Sequence, residues 1–511
     1  MISFQLRNIE KNGPCNKTIK LFDPGLITLI TKFHREFEGS RQNLLQRRRD
    51  KQELFNRGLV PSYQKNSKAC LENWKVAPIP ADLLSRKVEI TGPVNDPKMV
   101  INMLSRNKGE RADTAMLDFE DSMCPTWENV VSGYKNLKEA VDGTLTTNSY
   151  KLDTNDMAHI MVRVRGLHLN EKNVMVDGAP VSAGILDLLV CAYHTSQKLF
   201  DQGKTPKFYV PKCENYLEAR WWSQVFTAIE KALSLPKGAI KCTFLIETLP
   251  AAFQIEEILF ELKERVVALN VGRWDKIFSD IKVLRDHPDR VTADRSLINM
   301  NCYWMENYAK RLIKICHNRG ALAIGGMAAF TPGRSESIRQ EQLSKVKKDK
   351  ELEFQWGHDG CWVSHPYFIK EARTCFPKKN QLEKKLEDFD KFPDLLPSGK
   401  GKRTLQGLRK NIRVGIAYLN GWSEGKGCVA WDNLMEDLAT LEISRAQVWQ
   451  WIRHRTVLEE GMTVTSGLVK KLFEEELETI LKEEQKESFI QAKVQAQELF
   501  LLNELPEFME V

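Results

Sequence analysis

The sequence predicts an α/β protein whose main domain is a (β/α)8 barrel, with helices before it and an all-α region after it. Eight short apolar or β-branched runs recur between residues 88 and 367, and most of the gaps between them hold an amphipathic segment of helical length. Buried strands that alternate with helices indicate a parallel sheet, and eight such units indicate a closed barrel. After about residue 375 the strand pattern disappears.

The segment before the barrel has the pattern of one long helix. Apolar residues recur at three-to-four spacing from about residue 26 to 60, and we expect the cluster Arg47, Arg48 and Arg49 on the polar face. This N-terminal helical domain is expected to cover residues 1–85.

The eight barrel strands are predicted within residues 86–375. They are VEITGP at 88, AMLDFED at 115, HIMVRVRG at 159, KFYVPKC at 207, CTFLIET at 242, VVALNVG at 266, ALAIGGM at 321 and CWVSHPY at 361. A loop rich in Pro, Gly and Lys follows, and then four segments with helical periodicity begin near residues 404, 433, 466 and 489. They predict an all-α C-terminal domain over residues 376–511.

Composition narrows the classes of function. A net charge of +7 over 511 residues is mild and the charges are mixed, so it suits a solvated surface or a small polyanionic ligand better than a nucleic acid. We expect no membrane span, because no run of about 18 apolar residues occurs. Eleven cysteines without a CxxC pair favour reduced thiols.

Without a secretory signal or an SKL-type ending, a cytoplasmic location is expected, with peroxisomal or glyoxysomal import by another route as the alternative. The oligomeric state stays open.

Charged residues close several predicted strands at the end where barrel enzymes place their chemistry. They are Asp118, Glu120 and Asp121 after the second strand, Arg163 and Arg165 in the third, Glu247 after the fifth, and Arg273 and Asp275 after the sixth. Carboxylates from adjacent strand ends suit a hard cation such as Mg²⁺, whereas no Cys/His set has the spacing of a zinc site. The alternatives are that Arg163 pairs with a neighbouring carboxylate and that Glu247 caps the next helix.

The stretch VVALNVGRWDKIFS has a second feature of interest. Gly272 allows a ligand close to the backbone, and the N–H groups from Gly272 through Arg273 and Trp274 to Asp275 open toward the next predicted helix. This arrangement favours an anion such as a small carboxylate. The alternative is a tight turn in which Trp274 fills the barrel mouth.

Asp437 is the candidate general base. On the predicted helix it borders an apolar face formed by Leu434, Leu438, Leu441, Val448 and Ile452. Partial desolvation would raise its proton affinity, which suits a base. The alternative is a surface carboxylate paired with Arg445.

These segments together resemble the malate synthase family, of the A type that serves the glyoxylate cycle. The resemblance extends over nearly the whole chain and is carried by VEITGPVNDPKMVINML, LDFEDSMCPTWENVVSG, RVRGLHLNEK, FLIETLPAAFQIEEIL, LNVGRWDKIFS, GGMAAFTP, GHDGCWVSHP and NLMEDLATLEISRAQVWQWI. It implies a TIM barrel with an N-terminal helical clasp and a C-terminal helical plug. It also implies a Mg²⁺-dependent condensation of acetyl-CoA with glyoxylate, followed by hydrolysis to malate and CoA.

The resemblance implies roles for individual residues. Glu247 and Asp275 look like the metal ligands, Arg163 like the group that stabilises the developing enolate and bound glyoxylate, and Asp437 like the base that removes the methyl proton of acetyl-CoA. Trp362 is expected to wall the thioester pocket. Thr91 and Lys98 are candidates for CoA contacts, although an ordinary helix start at Asp96-Pro97 explains them equally well.

Three positions depart from the family signature. Arg265, Ala268 and Lys276 stand where the family usually has His, Gly and Tyr. None is an expected ligand or base, so activity is expected to survive, while Lys276 could alter the surroundings of Asp275. Two other functions stay open: a malyl-CoA or citramalyl-CoA lyase on a similar barrel, and a scaffold that has lost catalysis.

Overall fold

A closed barrel of eight parallel strands forms the centre of the fold. The computed structural model describes residues 4–6, 21–105 and 110–509. Its strands are β1 (Phe4–Leu6), β2 (Val88–Pro93), β3 (Thr114–Asp118), β4 (His159–Arg163), β5 (Asn170–Val176), β6 (Ala179–Ser182), β7 (Lys207–Val210), β8 (Lys241–Ile246), β9 (Val266–Val271), β10 (Leu322–Ala328), β11 (Gly360–Val363), β12 (Val429–Trp431) and β13 (Leu434–Glu436). The barrel order is β10-β11-β2-β3-β4-β7-β8-β9, and β9 pairs with β10 to close it. All eight carboxyl ends therefore meet at one rim.

The predicted barrel is confirmed, and each of its eight predicted strands is a barrel strand. Two small antiparallel sheets were not predicted: β1 with β5 and β6, and β12 with β13. Both hairpins turn through residues with positive φ, Asp177 and Gly178 in one and Asp432 and Asn433 in the other. An Asp-Gly pair between strand-like runs is a hairpin signal, so the first of these could have been recognised.

The helices enclose the barrel and continue beyond it. They are α1 (Pro24–Asn56), α2 (Lys68–Leu71), α3 (Pro97–Leu104), α4 (Trp127–Asp142), α5 (Ala183–Asp201), α6 (Tyr216–Ala232), α7 (Leu249–Phe253), α8 (Ile255–Glu261), α9 (Arg273–Val283), α10 (Tyr303–Arg319), α11 (Glu336–Trp356), α12 (Ile369–Cys375), α13 (Leu405–Ser423), α14 (Leu438–Arg453), α15 (Ser466–Glu484) and α16 (Ser488–Phe500). In the described part of the chain, no helix combines the length and apolarity needed to cross a membrane. The ten described cysteines are free thiols.

Helix α1 begins where its sequence dictates. Asp23 caps it by accepting the Leu26 N–H at 2.9 Å, and Pro24 occupies its first turn. The expectation that Arg48 lies on a polar face is wrong, because Arg48 is buried and its guanidinium donates to both carboxylate oxygens of Glu218 at 2.8 and 2.7 Å. This ion pair fastens α1 to α6. Residues 1–3 and 7–20 of the predicted N-terminal domain lie outside the described residues, and the predicted domain boundaries stay predictions.

A polar network lies inside the barrel beneath the rim. Buried Arg86 donates to Glu89 at 2.5 Å and to the Tyr209 hydroxyl at 2.8 Å, and the Trp362 indole N–H donates to Glu89 at 2.9 Å. Buried charges are tolerated when they are paired and hydrogen-bonded, as these are. The network holds Trp362 at a fixed depth below the rim.

Helix α14 is fastened to the barrel by the loop that follows α9. Gln450 accepts the Thr292 N–H at 2.9 Å, Gln447 donates to the Ala293 carbonyl at 2.7 Å, and the Trp451 indole donates to the Thr292 carbonyl at 2.9 Å. A salt bridge of 2.6 Å joins Arg295 to Glu436. These contacts place the start of α14 above the rim.

Closure of the barrel predicts that Gly360→Ala will be strongly destabilising. A Cβ atom on Gly360 would lie 1.7 Å from the Arg86 carbonyl oxygen, where β11 meets β2. We expect a loss of roughly 2–3 kcal/mol or more in the free energy of unfolding, measured by urea denaturation.

Gly39→Ala is the matched control. Gly39 lies in α1, and a Cβ atom added to it would have no other side chain within 4 Å, so alanine should stabilise the protein by about 0.5–1 kcal/mol. Equal unfolding midpoints for the two variants would contradict the proposed role of Gly360.

Candidate active site

A cavity of about 970 Å³ lies between the barrel rim and the C-terminal helices. Most of the site residues predicted from the sequence line it: Thr91, Arg163, Glu247, Gly272, Arg273, Trp274, Asp275, Trp362 and Asp437. Lys98 is not among the lining residues. It lies in the first turn of α3, which Asp96 caps, and its ammonium lies 5.3 Å from the ring centre of Tyr150, a residue of the cavity wall.

Glu247 and Asp275 come from adjacent strands. Glu247 directly follows β8, and Asp275 lies in the first turn of α9, just after β9. Glu247 does not cap the next helix, because Thr248 does so by accepting the Ala251 N–H. Burial and the charge of Asp275 hold the pKa of Glu247 well above its usual range. Burial likewise raises the pKa of Asp275 to about 6, against the lowering effect of Lys212.

Gly272 lies so close to Glu247 that a larger residue would not fit at this position. A Cβ atom at this position would lie 2.4 Å from the Cβ of Glu247. The Gly272 N–H donates to the Tyr308 hydroxyl at 3.1 Å, and the Tyr308 hydroxyl in turn donates to the Ile246 carbonyl. Tyr308 thus links Ile246, which directly precedes Glu247, to Gly272, which lies three residues before Asp275.

The first turn of α9 carries polar groups that lack a partner. No side chain caps the helix, and Arg273 Nε and the Trp274 indole N–H are both buried without a hydrogen bond to any described residue. The Arg273 guanidinium lies 4.7 Å from the Trp274 ring centre. Unpaired buried donors at a helix N-terminus are suited to an anionic ligand, so the tight-turn alternative does not account for them.

Arg163 pairs with a neighbouring carboxylate, the alternative weighed from the sequence, and it also lines the cavity. Its Nε and one terminal nitrogen donate to the two oxygens of Asp118, each at 2.6 Å. The other terminal nitrogen lies 3.6 Å from Glu120 and from Asp121. Asp118 therefore fixes the guanidinium plane and leaves one edge for the cavity, as a bidentate pair does.

Lys212 was missed from the sequence. It lies two residues beyond β7, its ammonium is buried, and it contacts Glu120 at 2.6 Å, Asp121 at 2.7 Å and Asp275 at 3.3 Å. A charged residue just past a strand end is the same signal that identified Glu247. It could have been found in KFYVPKC by applying that rule to the fourth strand as well.

Asp437 occupies a different position on α14 from the one predicted. It precedes the helix as its N-cap, because residues 434–436 form β13 and not a helical turn. Asp437 accepts the Thr440 N–H at 3.2 Å and donates its own N–H to the Thr440 hydroxyl at 3.0 Å. The alternative pairing with Arg445 is also wrong, since Arg445 pairs with Glu442. Asp437 therefore stays available to the cavity.

The surroundings of Asp437 favour a neutral carboxyl group. Burial, together with the charges of Asp121 and Asp275, raises the pKa of Asp437 to about 8, and the hydrogen bond from Thr440 opposes this. Asp437 as a whole is half-buried, so its carboxyl is enclosed while part of the residue faces the cavity. Such a group is poised to exchange a proton near neutral pH.

The three positions that depart from the family signature are not among the residues that line the cavity. The Lys276 ammonium pairs with Asp280 at 2.5 Å, and Arg265 pairs with Glu230 at 3.2 Å just before β9, at the opposite end of the barrel. Ala268 is buried within the barrel. Lys276 thus makes its ion pair one turn along α9 from Asp275.

The donor set at the rim suits a divalent cation. Burial raises the pKa of both Glu247 and Asp275, and the charge of Asp275 adds to the rise at Glu247, so a dication bound by them would offset this cost. Across the described ranges, no group of three or more His, Cys, Asp or Glu side chains is placed so that it could hold a metal ion by itself. Two carboxylates, completed by water and substrate oxygens, are the arrangement that Mg²⁺ commonly uses.

Comparison with known proteins gives consistent matches. The family models for the malate synthase TIM barrel domain and the malate synthase C-terminal domain match residues 159–393 and 402–511. Malate synthase A of Escherichia coli (strain K12) is 43% identical, covering 91% of this chain and 89% of the relative. Malate synthase of Myxococcus xanthus (strain DK1622) is 44% identical, covering 92% and 88%. A solved Haloferax volcanii malate synthase, a pyruvate/acetyl-CoA ternary complex, is 14% identical with a TM-score of 0.49, covering 80% and 97%.

The raised pKa of Asp437 predicts how stability changes with pH in the metal-free protein. Between about pH 4 and 8 the folded protein keeps this proton while the unfolded chain releases it, so the contribution of Asp437 to stability falls as pH rises. Asp437→Asn removes this effect and keeps a capping side chain. Relative to the parent, the variant should gain roughly 2 kcal/mol or more across that range, within the limit of about 1.4 kcal/mol per pH unit.

Urea denaturation at several pH values measures this difference. Asp432→Asn is the control, because Asp432 is exposed in the neighbouring hairpin and asparagine tolerates its positive φ. A constant difference between Asp437→Asn and the parent from pH 4 to 8 would contradict the raised pKa.

Proposed function

The chain belongs to the malate synthase family, and on this premise we propose that its cavity condenses acetyl-CoA with glyoxylate and hydrolyses the product to malate and CoA. The observation that carries the proposal is the convergence of four groups in one cavity. Arg163, Glu247 and Asp275 reach it from the barrel, and Asp437 reaches it from the C-terminal helices. These are an arginine, a pair of carboxylates and a base, which the reaction needs together.

Glu247 and Asp275 would hold Mg²⁺. When bound, the cation would polarise the glyoxylate aldehyde and offset the substrate's negative charge. The two side chains are pre-positioned for this role by the Tyr308 hydroxyl behind them, which bonds Gly272 and the Ile246 carbonyl. The first turn of α9, from Arg273 to Asp275, supplies backbone N–H groups and the unpaired Arg273 and Trp274 side-chain donors for the glyoxylate carboxylate.

Asp437 acts as the base in this proposal. Its carboxylate removes a methyl proton from acetyl-CoA, and negative charge develops on the thioester oxygen. The terminal nitrogen of Arg163 that does not bond Asp118 stabilises that charge, and Asp118 prevents the guanidinium from turning away. The resulting carbon nucleophile attacks the glyoxylate aldehyde carbon. The carbon–carbon bond forms as the aldehyde π bond opens to an alkoxide, and the alkoxide takes up a proton that balances the one removed by Asp437.

Hydrolysis completes the reaction. Water adds to the thioester carbon, the carbon–sulfur bond breaks, and the CoA sulfur leaves as the thiol after gaining a proton. The contacts between α14 and the loop after α9 hold Asp437 over the rim and restrict solvent access while the enolate exists.

The wall around this centre suits the acyl and pantetheine part of CoA. Trp362 is held by Glu89 and lies 5.8 Å from the Arg163 guanidinium, and Thr91 presents a buried hydroxyl that lacks a partner among the described residues. Lys370 lines the cavity and was not predicted from the sequence. With Lys98 on the outer side of Tyr150, it supplies positive charge for the CoA phosphates. The cytoplasmic location and the peroxisomal alternative stay predictions.

A CoA-ester lyase is the second candidate, because it would use the same carboxylate pair and arginine. The position of Asp437 in the cavity wall favours the synthase, since a base from the C-terminal helices has no part in the lyase prediction. A lapsed scaffold is disfavoured by the fully assembled set of charged groups.

An assay of free thiol release from acetyl-CoA plus glyoxylate tests the proposal. The parent protein should release CoA only with Mg²⁺ present, and Asp437→Asn should lower kcat by at least about 100-fold, the range expected for loss of a general base. Asp432→Asn should retain parental activity. Malyl-CoA cleavage without thiol release would favour the lyase, and absence of turnover by the folded parent would favour the scaffold.

Removal of either carboxylate should abolish stabilisation by Mg²⁺. The parent is expected to unfold at a higher temperature with millimolar Mg²⁺, because a ligand that binds only the folded state stabilises it. Glu247→Gln and Asp275→Asn should lose this shift, whereas Asp289→Asn, an exposed carboxylate elsewhere, should keep it. An unchanged shift in both site variants would place the cation elsewhere.

A further inference from the structure

We propose that Lys212 is a positioning residue for the divalent-cation site, holding Glu247 through its backbone and Asp275 through its ammonium. The inference rests on the proposed function, because it takes these two carboxylates as the metal ligands. It adds a residue that the predicted site did not include.

The backbone of Lys212 makes the first contact. Its N–H donates to Glu247 Oε1 at 2.6 Å. Lys212 has a φ of +54°, a left-handed conformation that is uncommon for a residue with a long side chain. Such a conformation persists where surrounding contacts enforce it, and these residues concentrate at functional sites. Here it allows one residue to direct both its N–H and its side chain into the same charged cluster.

The ammonium makes the second contact. Lys212 Nζ lies 2.8 and 2.7 Å from the two oxygens of Asp121, 2.6 Å from Glu120 Oε1 and 3.3 Å from Asp275 Oδ1. The side chain is 4% exposed. Asp121 and Glu120 therefore fix the ammonium firmly, and the ammonium in turn restrains Asp275.

A common frame for Glu247 and Asp275 follows from these two contacts. Lys212 engages Oε1 of one carboxylate and Oδ1 of the other, although one residue follows β8 and the other lies in the first turn of α9. Groups that orient the ligands of a metal commonly affect its affinity by about 10–100-fold. Lys212 would have this effect without contacting the cation.

If Lys212 only balanced charge, its removal would change the Mg²⁺ affinity in the opposite direction. If the ammonium served only to neutralise carboxylates, its removal would leave a more negative site, and Coulomb attraction would tighten cation binding. If it positions the ligands, its removal weakens cation binding. The sign of the change in Mg²⁺ affinity therefore distinguishes the two roles.

Titration calorimetry with Mg²⁺ alone on the full-length protein measures this sign. We expect Lys212→Met to weaken Mg²⁺ binding by about 10–100-fold, and to raise the KM for glyoxylate more than it lowers kcat. Lys350→Met is the matched control, because Lys350 is a fully buried lysine paired with Glu353 outside the cavity. It should lose stability while its Mg²⁺ affinity stays within about twofold of the parent.

Lys212→Arg covers the case in which Lys212→Met does not fold. Arginine keeps the charge but cannot reproduce a single ammonium among three carboxylates, so positioning predicts at least about fivefold weaker Mg²⁺ binding. Unchanged or tighter binding in a folded Lys212 variant would overturn the inference while leaving the proposed function intact. If the parent itself shows no Mg²⁺ binding that depends on Glu247, the proposed function fails first.

Discussion

Repulsion among buried carboxylates is the constraint on which the rim of this barrel depends. Asp118, Glu120, Asp121, Glu247 and Asp275 converge there because parallel strands deliver all their carboxyl ends to one side. The basic groups in direct contact with them are Arg163 and Lys212. Burial raises the pKa of Glu120, Glu247 and Asp275, and neighbouring carboxylates add to the rise at each of them. A bound cation would offset this excess of negative charge.

The same constraint explains how rigidly the basic groups are held. Arg163 is fixed by a two-point contact with Asp118, and Lys212 by Glu120 and Asp121. Beneath them, Arg86 and Glu89 pair inside the barrel and hold Trp362. Charges in a weakly polarisable interior exert strong forces on one another, so small displacements would be costly. The site is therefore built as layers of paired groups from the barrel interior to the cavity.

Much of this arrangement could be predicted from the sequence. The barrel could be predicted because its eight strands are continuous apolar runs separated by helices. Arg163, Glu247 and Asp275 could be predicted as site residues because each lies at or just after the end of such a run. Lys212 follows the same rule and was overlooked beside Pro211 and Cys213. The ion pairs of Arg163 and Lys212 were harder to predict. The pairing of Arg163 with Asp118 depends on strand register, and the contacts of Lys212 depend on an unusual backbone conformation.

The position of Asp437 shows a different limit. Its apolar neighbours at helical spacing suggested a place within a helix, whereas β13 interrupts the pattern and α14 begins one residue later. Periodicity identifies the helix but not its first residue, and the cap depends on a hydrogen bond to Thr440 that only the fold reveals. Asp437 lines the cavity, but as the N-cap of α14 and not as a residue within a helix.

The capping role of Asp437 also determines how its proton is released. A carboxylate at the N-terminus of a helix interacts favourably with the partial positive charge there, and protonation forfeits part of that interaction, typically about 0.3–1 kcal/mol. Burial favours the neutral acid, and the helix end favours the anion. In the proposed reaction, Asp437 would therefore not be trapped in its acidic form, and α14 would help to return the enzyme to the charge state in which the next turnover can begin.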